Sequence, residues 1–562
     1  MPSPLAWRSP HDATNCSDHG RLRRRAGRLS DDPARADRFV GTDHPFAAES
    51  VYFVVTDRFV DGDPSNNYPE QGGENRSFDR PIVNPDGQAA NLGYLGGDFA
   101  GIVQNADYIA EMGFTALWLT PIVDNPDAAF TGGAEVGQEG AFFTDKGKTG
   151  YHGYWGVNFF ELDEHLVSPG LDFRALSTQL GDKGIRVVLD VVCNHGAPSF
   201  DMPVDLPKFG ELYDQDGTLV ADHMNTHPEA LDAAEPLHAF FNRETDIAEL
   251  SNFNENNPDV LDYFVRAYSY WIDQGASAFR IDTIKHMPDA YWAKFSAEIR
   301  ERHPDFFMFA ESYSFDAAEI ARHTWPENGA ISVLDFPMQS AMSDVFGRNQ
   351  AGFERLEEVL HLDDQLYQNP YELMSFYDNH DMRRLDADDQ GFIDANNWLF
   401  TARGIPVFYY GSEIGFRAGR GEHGGNRDYF GADNVERAKS HPIREKLIRI
   451  ANVRREHVSL QRGLQLGLEL GGDRAAFLRV YQDGGESETA LVMLNKGDTA
   501  QRFGIDSRLR GQTWRDALAN DVLIVGAVTV PAHGVRVLVS DTPIEDSELL
   551  DALRALQSAA SR

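Results

Sequence analysis

The sequence predicts an α/β protein built on a closed (β/α)8 barrel of the TIM type, with an inserted subdomain after strand 3 and a C-terminal antiparallel β-sandwich domain. Three observations predict this architecture. Short apolar runs alternate with helical stretches through most of the chain, which is the pattern of parallel β/α units. A long interval after the third run lacks a regular period. From about residue 465 the pattern changes to alternating runs such as AAFLRVYQ and HGVRVLVS, which are typical of antiparallel strands.

Eight apolar runs are candidate buried strands, and eight is the number that a closed barrel requires. They cover residues 51–55, 115–120, 186–192, 278–282, 306–311, 331–336, 373–377 and 405–410. The stretch PDVLDYFVRAYSYWIDQG represents the helices between them, because Val260, Phe264 and Trp271 fall on one face. Asn257 can cap the start of this helix and Gly275 can end it.

The domain boundaries follow from the points where this alternation stops. Residues 196–246 are rich in Asp, Pro and His and are long enough for a functional loop or a small subdomain. We predict a disordered N-terminal tail (1–47), a barrel in two parts (48–195 and 247–464) around the inserted subdomain (196–246), a β domain (465–542) and a terminal amphipathic helix (543–562).

The charge balance excludes some classes of partner. The 562 residues include 51 Lys and Arg against 88 Asp and Glu, giving a net charge of −37. Such a surface repels nucleic acid and anionic membranes and suits a neutral substrate or divalent cations, although it can also serve solubility alone. Cys16 and Cys193 are not expected to form a disulfide, and no apolar run is long enough to span a membrane. We expect no nucleic-acid or membrane partner and favour a monomer.

Candidate reacting groups collect where four of the predicted strands end. The carboxyl ends of parallel barrel strands share one face, and here they read DVVCNH (190–195), FRIDTIKH (279–286), FAES (309–312) and FYDNHD (376–381). Each motif alone is compatible with a helix cap, a turn or a structural histidine, and Asp190 is expected to be structural. Their joint occurrence predicts one site, formed by Asp282, Glu311, Asp381, His195, His380 and Arg280.

In order and spacing these four stretches resemble the conserved stretches of the α-amylase superfamily of retaining glycoside hydrolases and transglycosylases. GFTALWLTPI and GIPVFYYGSEIG resemble its flanking stretches, and the similarity covers roughly residues 48–540. TDRFVDGDPSNN, GYLGGDF, YHGYW and IDTIKHMP look most like cyclodextrin glucanotransferases and maltogenic amylases. The resemblance implies an α-glucan or maltooligosaccharide substrate.

The resemblance also implies a role for each matching residue. Asp282 matches the nucleophile, which Arg280 would hold ionised. Glu311 matches the general acid/base, whose pKa burial and neighbouring negative charge should raise. Asp381 matches a third acid that binds sugar hydroxyls. The other matching residues would contact the sugar: His195 and His380 as hydrogen-bond donors, Tyr154 as a stacking aromatic that could equally belong to the core, Lys285 and His286 on the leaving-group side, and Tyr313 on the acceptor side.

Two calcium sites (Ca2+) are implied in the same way. The loop DGDPSNN offers hard oxygen donors, although an ordinary turn rich in Asp and Asn has the same composition. In the glucanotransferase group a later GGD completes the site, so the first set is Asp61, Asp63, Asn66, Asn67, Gly96 and Asp98. Asn194, Glu249 and the His286 carbonyl match the second site, where the family usually has Asp in place of Glu249.

We therefore predict endo-type hydrolysis of α-1,4-glucosidic bonds in starch-like glucans. The alternatives are a 4-α-glucanotransferase or cyclodextrin glucanotransferase, an exo-acting α-glucosidase or isomerase, which Lys285 and His286 oppose, and an inert glucan-binding barrel. Thr245 occupies the position where ring-forming relatives have a central aromatic residue, and it offers no stacking face. We expect linear maltooligosaccharides, with transfer products at high acceptor concentration. Calcium sites and a polymeric substrate favour an extracytoplasmic location, although no secretory signal is visible.

Overall fold

The computed structural model describes residues 37–83, 89–133, 146–347, 351–417, 426–519, 521–523 and 526–560. Of the predicted N-terminal tail, residues 1–36 lie outside this range. Within the described part of the chain, every helix is too short or too polar to cross a membrane.

Eight parallel strands form the barrel, as predicted. They are β1 (Val51–Val54), β2 (Ala116–Leu119), β3 (Arg186–Val191), β4 (Ala276–Ile281), β5 (Phe307–Ala310), β6 (Ser332–Val333), β7 (Met374–Ser375) and β8 (Ile405–Tyr409). Their order is β6-β5-β4-β3-β2-β1-β8-β7, and a parallel bridge between Leu334 and Met374 closes the ring between β6 and β7. The interior is packed with side chains such as Phe53 and Trp118, whose rings stack with centroids 3.7 Å apart.

Helices follow the strands and cover the outside of the barrel. The helix of residues Pro258–Gln274 begins at Asn257, whose side chain accepts from the Asp259 N–H (3.0 Å), and ends at Gly275, whose φ of 121° favours glycine. The α-helices are Thr56–Phe59, Phe99–Gln104, Ala106–Glu111, Phe173–Gly181, Pro258–Gln274, Asp289–Arg302, Ala317–Ala321, Phe336–Phe346, Glu354–Glu357, Asp389–Leu399, Gly431–Ala438, Pro442–Glu456, Val458–Arg462 and Ser547–Ala560.

The insertion after β3 is built of short strands and 3-10 turns rather than one regular element. Glu211–Tyr213 and Leu219–Asp222 join Val123–Asp124 and Asn158–Leu162 in a four-stranded sheet, so the insertion and the loop after β2 share one small layer. His195–Pro198 pairs with Leu250–Asn252, which lies beyond the predicted end of the insertion at residue 246.

The C-terminal domain consists of a six-stranded antiparallel sheet and a two-stranded ribbon. The sheet contains β9 (Leu464–Gly471), β10 (Arg474–Asp483), β11 (Glu486–Asn495), β12 (Trp514–Asp516), β13 (Asp521–Leu523) and β14 (Gly534–Ser540), in the order β9-β10-β11-β14-β12-β13. The ribbon pairs Gln501–Gly504 with Ala527–Val530. Phe503 and Val530 of the ribbon share a core with Leu538 of the sheet and Leu553 of the terminal helix.

The predicted end of the N-terminal tail at residue 47 is too late. Phe39 is 1% exposed and exchanges two backbone hydrogen bonds with Gln482 of β10 (2.9 and 2.8 Å). The Val40 N–H donates to Gln557 of the terminal helix (2.6 Å), and Pro45–Ala48 forms a 3-10 turn that leads into β1. Residues 38–47 therefore belong to the folded body, because they pack on the last domain of the chain, far away in sequence.

Candidate active site

The predicted reacting groups stand directly after the ends of barrel strands. Asp282 follows β4 and Glu311 follows β5. The Asp282 N–H donates to the Val191 carbonyl (2.9 Å) and the Glu311 N–H to the Ile281 carbonyl (2.8 Å), so both residues continue the hydrogen-bond ladder of the barrel. Their backbone is therefore positioned by the sheet rather than by a free loop.

One buried guanidinium joins three carboxylates at this mouth. Arg280 is 0% exposed, and its Nη1 lies 2.6 Å from Asp282 Oδ1 and 2.9 Å from Asp190 Oδ1. Its Nη2 lies 3.0 Å from Glu311 Oε2. Such a planar fork binds carboxylates at fixed relative positions. Asp190 also accepts from Trp118 Nε1 (3.0 Å), which gives it the structural role that the sequence analysis expected.

The surroundings of Glu311 change its protonation equilibrium. Burial raises the pKa of Glu311 to about 8, opposed by Arg280 and reinforced by the negative charges of Asp381 and Asp282. Burial disfavours the charge of Arg280, but the carboxylates of Asp190 and Glu311 raise its pKa above the ordinary value. Glu311 therefore holds a proton at neutral pH beside a permanent cation, which is what a general acid requires.

The third acid lies in a second network, built from the segment after β7. Asp381 Oδ2 lies 3.2 Å from His380 Nε2, and Asp381 Oδ1 accepts from Arg427 Nη2 (2.7 Å). The Tyr154 hydroxyl bonds to the same His380 nitrogen (2.7 Å) and donates to Asp190 Oδ2 (2.8 Å). Tyr154 and His380 also stack, with ring centroids 5.5 Å apart. Tyr154 thus belongs to the site rather than to the barrel core alone.

Arg427 is a site residue that the sequence analysis missed. It is 8% exposed, and its Nε donates to the His380 carbonyl (3.0 Å) in addition to its contact with Asp381. It comes from the loop after β8, within the motif GGNRDYF. Because loops after barrel strands supply site residues, an Arg at this place could have been chosen on that ground.

These groups line a cleft of about 380 Å³ that also includes His195 and Tyr313. Burial lowers the pKa of His195, and its buried Nδ1 has no hydrogen-bond partner among the residues that the structure describes. Lys285 Nζ donates to the Tyr313 carbonyl (2.8 Å), which fixes the backbone of that residue. His286 lines a neighbouring polar cavity, which adjoins Thr245 and Asp246.

In the first predicted metal loop, three buried side-chain oxygens have no hydrogen-bond partner in the described part of the chain. They are Asp61 Oδ1, Asn66 Oδ1 and Asn67 Oδ1. The Asn67 amide donates to Asp61 Oδ2 (2.9 Å), so the loop is ordered around them. Gly96 has a φ of 91°, and a side chain there would collide with Asn67 Oδ1 and Asp61 Oδ2. Buried oxygens are rarely left unpaired, so this donor set fits a hard cation.

The other two predicted ligands of this loop organise its backbone. Asp98 Oδ1 accepts from the Gly62 N–H (3.0 Å), and Asp98 Oδ2 accepts from the Asp63 N–H (2.9 Å) and from Asn66 Nδ2 (3.0 Å). The Asp63 side chain accepts from the Ser65 N–H (3.1 Å) and caps a short 3-10 turn. The two carboxylates therefore fix the backbone of the loop, and Asp98 also holds the side chain of Asn66.

At the second predicted metal position, the structure places the carboxylate of Asp246, which was not predicted, beside Asn194 and His286. Asp246 accepts from Asn194 Nδ2 (3.0 Å) and lies 2.9 Å from His286 Nδ1, while Asn194 Oδ1 is buried without a partner. The sequence analysis named Glu249, whose carboxylate lies against Gly133 instead. The segment turns between the two acids, since Ala248 has a φ of 46°, and this turn was not visible in the sequence pattern.

Fold and site together define a class: a (β/α)8-barrel protein whose candidate reacting groups are carboxyl groups that follow β4, β5 and β7. The family model for the alpha-amylase catalytic domain matches residues 53–449. The chain belongs to the alpha-amylase family. The resemblance stated from the motifs is therefore confirmed.

Individual relatives carry two kinds of name. A cyclomaltodextrin glucanotransferase of Bacillus licheniformis is 31% identical over 393 residues, which cover 68% of this chain and 51% of that protein. An alpha-amylase of Niallia circulans is 27% identical, with 87% of this chain and 88% of that protein covered. The chain spans about half the length of the first of these relatives.

Solved structures show the same division. A cyclomaltodextrin glucanotransferase with a three-domain ABC distribution has a TM-score of 0.71 at 28% identity, covering 88% of this chain and 99% of that one. An Anoxybacillus alpha-amylase has a TM-score of 0.68 at 26% identity, covering 89% of this chain and 99% of that one. The similarities thus fix the family and the fold, and they leave hydrolysis and transfer to be distinguished by the site.

Proposed function

We propose that this protein is a retaining α-glucan hydrolase that cleaves α-1,4 bonds within starch-like glucans and maltooligosaccharides. The observation that carries the proposal is the Arg280 guanidinium, which holds Asp282 on one nitrogen and Glu311 on the other (2.6 and 3.0 Å). A retaining mechanism needs two carboxyl groups about 5–5.5 Å apart, one as nucleophile and one as acid/base. The contact of both carboxyls with one guanidinium supports this pairing, because it brings them to the same end of the cleft.

The roles follow from the difference between their surroundings. Asp282, bonded to Arg280, would attack the anomeric carbon and form a glycosyl ester, while Glu311 donates its proton to the leaving glycosidic oxygen. The ionised Glu311 then takes a proton from the incoming acceptor, which attacks the same carbon and releases Asp282. Asp381 and His380, held by Arg427 and Tyr154, would bind hydroxyls of the sugar at the cleavage point.

Proton NMR of the first products tests the reaction class. Two displacements at one carbon retain its configuration, so α-anomers should accumulate before mutarotation. Early β-anomers would contradict the assignment of Asp282 as nucleophile. The rate should also fall as the pH rises through about 8, because Glu311 must start each cycle protonated.

The acceptor decides between hydrolysis and transfer, and we infer water as the main one. Thr245 adjoins Asp246 and His286 in the polar cavity, while Ile247 and Ala248 are the residues of this segment that line the catalytic cleft. No residue of Thr245–Ala248 offers a ring around which a glucan could curl. Chromatography of early products from soluble starch should show linear maltooligosaccharides, with sugar-transfer products only at high acceptor concentration.

Transfer, including cyclisation, is the second candidate function. The names of the glucanotransferase relatives favour it, as does the aromatic Tyr313 at the cleft. Cyclodextrins as the main early product would establish it in place of hydrolysis. An inert glucan-binding barrel is the non-enzymatic alternative, and the presence of all three acids opposes it.

We further propose Ca2+ as a structural cofactor. Asp61, Asn66, Asn67 and Gly96 would hold one ion, and Asn194 with Asp246 and the His286 region would hold a second. Bound calcium would supply positive charge to buried oxygens and stabilise the loops around the cleft without entering the reaction. The unpaired oxygens of the first loop are the support for this proposal.

A further inference from the structure

Two backbone carbonyls beside Asp381 accept hydrogen bonds from one buried side chain. Asn426 is 0% exposed, and its Nδ2 donates to the Asn379 carbonyl (3.1 Å) and to the Met382 carbonyl. An amide nitrogen carries two N–H groups, so this side chain uses both of its donors on the segment. The Asp381 N–H in turn donates to Asn379 Oδ1 (3.0 Å). The backbone on both sides of the third acid is therefore fixed by contacts.

Arg384 holds the backbone of Asn426. It is 1% exposed, and its Nη2 and Nε donate to the Asn426 carbonyl (3.0 and 3.3 Å). Its Nη1 lies 3.4 Å from the Ser412 hydroxyl, which donates to Asp378 Oδ2 (2.7 Å). The guanidinium also lies over the Tyr409 ring, 4.3 Å from the ring centroid. A buried polar network whose members are paired holds those members rigidly.

These contacts lead to the third acid rather than to the substrate. Asn426 and Arg384 are not among the described residues that line the catalytic cleft, whereas Asp381 is. We propose that Asn426 and Arg384 are positioning residues that fix the orientation of the Asp381 carboxylate toward the sugar. This inference rests on the proposed function, in which Asp381 binds sugar hydroxyls at the cleavage point. A displacement of about 1 Å at a reacting centre can lower the rate about 100-fold, so a backbone fixed in advance supports catalysis.

A double-mutant cycle separates positioning from a purely structural role. Asn426→Ala removes both bonds to the backbone beside Asp381 and should lower kcat/KM by about 10- to 100-fold. The loss should fall mainly on kcat, because hydrogen bonds to the sugar strengthen in the transition state. In the Asp381→Ala background the same change should cost less than about 2-fold, because the carboxylate that Asn426 positions is absent. An aryl α-maltooligoside with an activated leaving group keeps the rate of the Asp381→Ala enzyme measurable.

Arg384→Lys is the second variant, and it decides the question if Asn426→Ala does not fold. It keeps the buried charge, but an ammonium group lacks the planar fork that reaches both the Asn426 carbonyl and the Ser412 hydroxyl. Its loss of kcat/KM should be smaller than that of Asn426→Ala, and it should likewise disappear in the Asp381→Ala background.

Asn495→Ala is the matched control. Asn495 of β11 is 1% exposed, and its Nδ2 donates to the carbonyls of Thr499 and Pro531 (2.9 and 2.8 Å) in the C-terminal domain. Its variant should lower the melting temperature and leave kcat/KM unchanged.

Two results would overturn the positioning role. One is a loss for Asn426→Ala or Arg384→Lys that keeps its full size in the Asp381→Ala background. The other is an unchanged kcat/KM in both single variants. Wild-type protein inactive on every α-glucan would instead overturn the proposed function, on which this inference rests.

Discussion

The two ends of the barrel use buried arginines in different ways. At the mouth, Arg280 contacts the carboxylates of Asp190, Asp282 and Glu311. At the opposite end, Arg479 of β10 donates to the carbonyls of Thr401 and Ala402 (2.9 and 2.7 Å), just before β8 begins. Both side chains are 0% exposed. Arg280 acts as a cation beside acidic side chains, whereas Arg479 acts as a hydrogen-bond donor to backbone carbonyls.

The consequence of burial differs accordingly. Carboxylates raise the pKa of Arg280, whereas burial lowers the pKa of Arg479 to about 10. Arg454 repeats the second pattern, because it donates to the carbonyls of Ala47 and Gly404 (3.0 and 3.1 Å) ahead of β1 and β8. Burial of a charged side chain is therefore not sufficient to identify a candidate reacting site. The partners of these charges differ: Arg280 contacts carboxyl groups, whereas Arg479 and Arg454 donate to backbone carbonyls.

The largest effect is expected at the mouth. Glu311→Gln keeps the shape of the side chain and removes its proton, so kcat/KM should fall by about 10²- to 10⁴-fold, the range for general acid–base catalysis. Asp282→Asn should abolish turnover as well. The melting temperature of both variants should stay close to that of the wild type, as measured by calorimetry.

Glu372→Gln is the control from the base of the barrel. Glu372 accepts from the Thr42 hydroxyl (2.6 Å) just before β7, and its replacement should leave kcat/KM unchanged. Either mouth variant with a tenth of wild-type activity would show that the roles are misassigned.

At the base, the same reasoning predicts a change in stability without a change in chemistry. Arg479→Met removes donors from the carbonyls of Thr401, Ala402 and Gly463, so the free energy of unfolding should fall by about 2–5 kcal/mol. Denaturant titration measures this loss, and kcat/KM at 25 °C should be unchanged.

The matched variant at the mouth is Arg280→Lys. Lys keeps one charge but cannot hold two carboxylates on a planar fork. Arg280→Lys should cause a large loss of kcat/KM and a small loss of the free energy of unfolding. Arg479→Met should show the opposite pattern. If both variants mainly lost activity, or both mainly lost stability, the proposed difference between the two ends of the barrel would be wrong.

The sequence predicted one end of the barrel better than the other. All eight strands could be assigned, because a periodic strand pattern locates its own end, and the barrel brings those ends together with the candidate groups that follow four of them. Arg427, in the loop after β8, was missed. Arg479 could not be assigned, since Thr401 and Ala402 lie 78 and 77 residues away along the chain and only the docking of the last domain brings them near. The N-terminal pairing of Phe39 with Gln482 was missed for the same reason.

The two predicted metal sites could be assigned from the sequence only in part. The loop of Asp61 is a short local stretch, so its ligands could be named from its composition together with the family resemblance, and the unpaired oxygens of Asp61, Asn66 and Asn67 fit that choice. At the second position, the family resemblance pointed to Glu249, and the structure shows a backbone turn at Ala248 with Asp246 bonded to Asn194. A side chain's direction in an irregular segment is decided by backbone angles that a residue pattern does not contain.

Removal of calcium should lower the melting temperature more than it lowers kcat/KM, because the proposed ions bind loops of the scaffold and do not enter the reaction. A ligand bound only to the folded state adds about 2.7 kcal/mol at one hundred times its Kd, so chelator should lower the melting temperature and added Ca2+ should restore it. Asp61→Asn should weaken this response. A chelator-treated sample, shown to be free of metal, that melts at the original temperature would contradict both sites.

The smallest effect is expected at a contact between the barrel and the last domain. Its cation contacts carboxylates, as Arg280 does, but it lies in the domain interface, as Arg479 does. His533 Nδ1 lies 2.7 Å from Asp394 Oδ2 of a barrel helix, and its Nε2 lies 3.1 Å from Asp498 Oδ1. Hydrogen bonds to these carboxylates, opposed by burial, raise the pKa of His533 to about 9. The folded state therefore binds this proton more tightly than the unfolded chain, whose His has a pKa of about 6.5.

The sign of the pH dependence follows from that difference. The stability contributed by His533 is fully present below about pH 6.5 and is lost as the pH rises through about 9. Because the side chain is partly exposed, we expect about 1 kcal/mol after screening by solvent. Wild type should therefore melt above His533→Gln at pH 6, and the gap should narrow by pH 10. A gap that is constant with pH would make His533 a neutral donor, like the arginines at the base, rather than a cation held between two carboxylates.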